Sequence, residues 1–120
     1  MNTFISLLLA SRTQAHVFHW QTQSFSVHKT LNEYYDSIID LIDEVVEGYQ
    51  GKYDILKNFM TPANIIESED TKIMIDYFES LVKLVEEERS NIVQDTFIQN
   101  QVDEIVQLLY TTIYKLKNLQ

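Results

Sequence analysis

Apolar positions recur along this chain with a helical period, and they divide it into four segments. The first runs from about Asn2 to Gln21, with Asn2 or Thr3 as its candidate cap. A short polar turn, Gln21 to Ser26, leads into a second segment that begins near Ser26 and continues without a proline to about Asn58. Ser26 is its candidate N-cap. At about 100° per residue, Leu31, Tyr34, Tyr35, Ile38, Ile39, Ile42, Val45, Val46, Tyr49 and Tyr53 share one broad face. Gly48 interrupts that pattern and Gly51 follows it, so a bend or a close approach is expected there. Thr61-Pro62 breaks the helical pattern. Ser68-Glu69-Asp70 opens a third helix to about Arg89, carried by Ile73, Ile75, Tyr77, Phe78, Leu81, Val82 and Val85. Asn91 to Gln99 fits neither helix nor loop cleanly. A last helix, about Asn100 to Asn118, is carried by Val102, Ile105, Leu108, Leu109, Ile113 and Leu116.

Four such helices predict an all-α bundle forming one domain over residues 1–120. The connection from about Met60 to Glu67 is short. Eight to eleven extended residues reach roughly 30–35 Å, so it permits a simple return or a stretched crossover.

Composition sharpens this picture. Two glycines and one proline leave little material for hairpins, and the absence of cysteine excludes disulfides and thiolate metal sites. A net charge of −9, with the nine Lys and Arg scattered, argues against nucleic acid and suits a protein that attracts cations. The apolar start, Met1 to Ala10, lacks a basic leader and is too short to span a membrane. The chain therefore reads as cytoplasmic.

All three histidines, His16, His19 and His28, fall in the first quarter of the chain. The short turn should bring His19 close to His28. Along the second helix Asn32, Asp36, Asp40, Asp43 and Glu47 form a stripe about 80° wide that borders the apolar face. An acidic stripe alone is more often a solvated surface. Here no Lys or Arg between Thr30 and Gly51 neutralises it, and His28 stands at its edge. Histidines clustered with carboxylates are the makings of a transition-metal site. Yet His28 and Asp43 are fifteen residues apart, about 22 Å along one helix, far beyond the reach of one ion. A second copy related by a twofold axis would supply the missing half and create two equivalent sites.

His16-Val17-Phe18-His19-Trp20, Phe25-Ser26-Val27-His28, Asn32-Glu33-Tyr34-Tyr35-Asp36 and the run from Asp40 to Glu47 resemble the Dps family of mini-ferritins, in the ferritin-like superfamily. The likeness covers about Ser6 to Tyr49. A chain this short also looks like the abbreviated Dps-like proteins of large tailed bacteriophages, which implies a bacterial or phage-infected host cytoplasm. The resemblance implies a ferritin-like four-helix bundle with a short crossover between the second and third helices. It implies twofold dimers, built in that family into a hollow dodecamer, with a ferroxidase centre at the dimer interface. There His19 and His28 of one subunit would face Asp43 and Glu47 of the other, and Asn32 and Asp36 would join the metal set. Iron, as Fe(II) and Fe(III), is the implied metal, with another divalent metal as a variant. Its oxidation by dioxygen or peroxide would serve storage, detoxification and protection from oxidative stress. Trp20 would lie beside the centre or serve as an ordinary interface aromatic. Asp40 and Glu44 would face solvent or help nucleate mineral.

Several departures qualify these expectations. Asn32 stands where the family usually has aspartate, and an amide brings no charge to the metal; Asp36, one turn along, offers a substitute. The Trp20–His28 loop is about three residues shorter than usual. The middle connection has no room for the family's short extra helix, which counts against the cage more than the dimer. Without a basic N-terminal tail, DNA binding is not expected. The alternative reading is a ferritin-like structural or assembly protein that has lost the chemistry.

Overall fold

The structure, a computed structural model, describes residues 1–60 and 64–119. It is built from α1 (Asn2–Gln21), α2 (Phe25–Lys52), α3 (Thr71–Glu88) and α4 (Thr96–Asn118), with a 3₁₀ turn at Arg89–Asn91. The described residues are all helix and connection, and the molecule measures 44 × 25 × 22 Å. The break expected at Thr61-Pro62 lies outside the described residues.

Local chemistry sets the ends of the helices. Ser24, two residues before the expected Ser26, caps α2 by accepting from the Val27 amide. Met1 holds the N-cap position of α1 without a side-chain bond. Asn2 accepts from the next amide and also turns its Nδ2 to the carbonyls of Lys57 and Asn58. Asp70 caps α3 through the Lys72 amide at 2.9 Å. The fourth helix starts at Thr96, four residues earlier than the periodicity suggests, and so brings Ile98 into the core.

The long helix α2 stops at Lys52, not Asn58. Lys52 and Tyr53 both bind the Asp95 carboxylate at the start of α4, which fixes the end of α2 against α4. These two donors hold the Asp95 carboxyl below the usual carboxylate range, the Lys52 bond foremost. Eighteen residues then separate α2 from α3, and the described ones, 53–60 and 64–70, form a connection longer than the short one expected. Asn58 takes a left-handed φ of 64°, which asparagine tolerates, as the chain turns onto α1.

From there the connection runs up α1 on a ladder of side-chain bonds. Met60 N–H donates to Ser6 Oγ at 3.0 Å, Gln14 bonds both the N–H and C=O of Ile66 at 2.8 Å, and Ser68 N–H donates to Gln21 Oε1 at 2.8 Å. The crossover therefore traverses the length of α1 and delivers α3 parallel to α2. In the bundle α1 packs on α2 and α3, and α4 packs on the same two helices. Ion pairs agree with this arrangement: Lys115 near the end of α4 meets Glu33 near the start of α2 at 2.9 Å, and Lys117 meets Glu79 at 3.5 Å.

The core is continuous through all four helices. Phe4, Leu8 and Phe18 from α1 meet Leu31, Tyr34, Ile38 and Val45 from α2, Met74, Phe78 and Val85 from α3, and Ile98, Val102, Ile105 and Leu109 from α4. The α2 face expected from periodicity is buried from Leu31 to Val45 except at Ile39, which is half-buried like Val46 and Tyr49, and it is exposed at Tyr53 beyond the helix end. On α3 the expected Ile73 is exposed and Met74 takes the fully buried position instead. None of the described helices is long and apolar enough to cross a membrane.

Candidate metal centre

The tight turn between α1 and α2 leaves three residues, Thr22 to Ser24, outside either helix. It places the last turn of α1 beside the first turn of α2. The final carbonyls of a helix have no intrahelical donor, and His28 uses this: its Nδ1 lies 2.8 Å from the His19 carbonyl. His19 returns the contact, its Nδ1 2.8 Å from the His28 carbonyl. The rings stack with centroids 3.5 Å apart and planes 20° from parallel. His19 is buried and His28 half-buried.

These bonds determine the chemistry of the pair. A carbonyl only accepts, so each Nδ1 carries its hydrogen and each neutral ring keeps its lone pair on Nε2. Metal-binding histidines are commonly held in this way, the second ring nitrogen donating to a backbone carbonyl. The lone pairs lie in the planes of two nearly parallel rings, so as they stand they do not converge on one point. The pair therefore offers two adjacent coordination positions rather than one chelate.

Aromatic side chains enclose the pair. The Tyr35 hydroxyl lies 3.5 Å from His19 Nε2 and its ring meets the His19 ring edge-on. His16 stacks on Tyr35 at 4.1 Å and touches Trp20 at 4.5 Å, a packing role. Trp20 and Phe25 project from the same corner, 69% and 79% exposed. Periodicity assigns Tyr35 only to the apolar face of α2. The signal that could have singled it out is its hydroxyl, which needs a polar neighbour once buried, two turns along the helix from His28.

The acids lie elsewhere on α2. Asp36, Asp40, Asp43, Glu44 and Glu47 are exposed, and among the described residues Asp36, Asp40, Asp43 and Glu47 form no ion pair. Asn32 is half-buried and donates through Nδ2 to Asp36 Oδ2 at 2.7 Å. That bond leaves the Asn32 carbonyl oxygen free but occupies one oxygen of its expected substitute. Asp43 and Glu47 sit toward the far end of a 28-residue helix from His28. Among the described residues no three His, Asp or Glu side chains come together as a metal site. The structure thus joins His19 to His28 and Asn32 to Asp36, and keeps Asp43 and Glu47 apart from both within one chain. Imidazole nitrogen and carboxylate oxygen are donors that suit a first-row transition metal.

Comparison with curated proteins and with solved structures finds no match. Residues 19–116 do match a family, described as a family of unknown function (DUF5856). The match begins at His19 and takes in His28, the acidic row, the crossover and most of α4, well over half of the 120 residues. The chain belongs to that family.

Proposed function

We propose that this protein is a ferritin-like, Dps-type iron protein whose oxidation site is completed between two copies of the chain. The observation that carries the reading is the reciprocal histidine lock. It fixes two imidazoles with their Nε2 lone pairs turned away from the backbone, that of His19 toward the Tyr35 hydroxyl, beside an exposed aromatic corner, while the carboxylates that would complete their coordination lie about 22–28 Å away along α2. A twofold partner packed antiparallel along α1 and α2 would carry its Asp43 and Glu47 to His19 and His28. The single long crossover between parallel helices is also the connectivity of ferritin-like bundles.

In this reading Fe(II) is the substrate. The histidines receive it, the partner's carboxylates favour the ferric product through their hard oxygens, and dioxygen or peroxide accepts the electrons. Trp20 and Phe25 would be covered by the partner. Asn32, with Asp36 as its hydrogen-bond acceptor, would bring an uncharged oxygen to the edge of the site.

That same Asn32–Asp36 bond favours a second reading, in which the chain keeps a ferritin-like fold as a structural or assembly protein and oxidises nothing. One experiment separates them. Crystals soaked in Fe(II) and measured for anomalous scattering should show iron at the adjacent His19 and His28 positions, beside a partner's Asp43 and Glu47, and His28→Ala and Asp43→Ala should each abolish iron oxidation. A protein that stays monomeric and takes up no iron would overturn the first reading.

A further inference from the structure

We propose that Tyr35 is itself a ligand of the iron held by His19, a second donor to that ion supplied by the same chain. The inference rests on the iron-site reading above but concerns a residue outside its expected ligand set.

Three observations carry it. The Nδ1 lock leaves His19 Nε2 as the coordinating atom, and the Tyr35 hydroxyl donates to that atom at 3.5 Å, its proton standing where a metal ion would replace it. Two donors each about 2.1 Å from one ion and separated by this distance subtend roughly 110° at the ion, a normal angle between neighbouring ligands. The phenol oxygen and the imidazole nitrogen can therefore share an ion with little movement of either side chain. Finally, the ring of Tyr35 is buried and clamped between the His16 ring, stacked at 4.1 Å, and the edge of His19 at 5.3 Å. The oxygen is pre-positioned rather than swung in from solvent.

The chemistry balances simply. On binding ferric iron the phenol O–H bond breaks, its proton passes to solvent water, and an Fe–O bond forms. The electron lost by Fe(II) goes to dioxygen or peroxide, so Tyr35 is neither oxidised nor reduced. A hard anionic oxygen gained in this way would also offset the charge missing at Asn32.

The test uses the full chain and Fe(II) salts alone. Aerobic addition of Fe(II) should give a visible phenolate-to-Fe(III) charge-transfer band, with tyrosine ring vibrations enhanced in its resonance Raman spectrum. Tyr35→Phe keeps the ring and its stacking on His16. It should lose the band and bind iron roughly tenfold more weakly, with an unchanged circular dichroism spectrum. If Tyr35→Phe fails to fold, the Raman experiment on protein carrying ring-deuterated tyrosine at position 35 alone decides: the enhanced modes should shift. Iron bound and oxidised without the band, or a band that survives in folded Tyr35→Phe, would overturn this proposal and leave the shared site standing. No iron uptake by equilibrium dialysis would sink both.

Discussion

Two backbone carbonyls, one at the end of α1 and one in the first turn of α2, determine which nitrogens of His19 and His28 can meet a metal. The sequence places these histidines near each other through the brevity of the turn. It does not contain the reciprocal bonds, because those depend on the angle at which two helix ends meet. A second buried polar pair shows the same limit. Ser11 Oγ lies 2.7 Å from both the Leu8 carbonyl and the Tyr34 hydroxyl. The serine proton goes to the carbonyl, so Tyr34 donates to Ser11. Burial pushes the Tyr34 phenol, and that of Tyr77, well above the ordinary range. Above about pH 10 the unfolded chain releases these protons while the folded chain retains them, so stability present below pH 10 is lost as pH rises. Tyr34→Phe should cost about 1 kcal/mol at neutral pH, and should flatten part of the alkaline loss, with Tyr77 keeping the remainder. Urea unfolding at pH 7 and above pH 10 measures both. An alkaline loss as steep as wild type would contradict the assignment.

Among the elements, α2 to α4 are legible because their buried faces are almost wholly apolar. The first helix is less so: its buried positions include Ser6, Ser11, Gln14 and His19 beside Phe4, Leu8 and Phe18. Those polar residues are buried because each has a specific partner, and two of them, Ser6 and Gln14, hold the crossover together with the half-buried Gln21. The length of the crossover was obscured because residues 53–58 continue the α2 pattern, yet the chain leaves the helix and the Lys57 and Asn58 carbonyls accept from Asn2 of α1 instead. Gln14→Ala removes two bonds to Ile66 at a buried position and should destabilise by about 1–3 kcal/mol, with the largest gain in amide exchange at Ile66 and Ser68. Uniform exchange along the chain would show that the ladder does not hold this segment. Gly51 offers the opposite case. It sits in the last turn of α2 without a positive φ, and a Cβ there would meet no other atom within 4 Å. Gly51→Ala should stabilise by about 0.5–1 kcal/mol through helix propensity, read as a rise in Tm; a fall would mean the helix end needs the freedom of glycine.

At the scale of the whole molecule, Asp43 and Glu47 lie far along α2 from the histidine corner, so the proposed site needs a second copy to bring them together. The helix count and the spacing from His28 to Asp43 were readable from the chain, because a helix converts sequence distance directly into length. The parallel relation of α2 and α3 was not, because it depends on where the connection binds. The shared-site account stands or falls on complementation between subunits. One variant carries His19→Ala and His28→Ala; the other carries Asp43→Ala and Glu47→Ala. Each alone should fail to oxidise Fe(II). Unfolded and refolded together, half the dimers would be mixed, and each mixed dimer would regain one of its two sites, about a quarter of the wild-type rate. Recovery on mixing is the predicted result. Full activity in either variant alone, or no recovery in dimers shown to be mixed, would contradict a site shared between two copies of the chain.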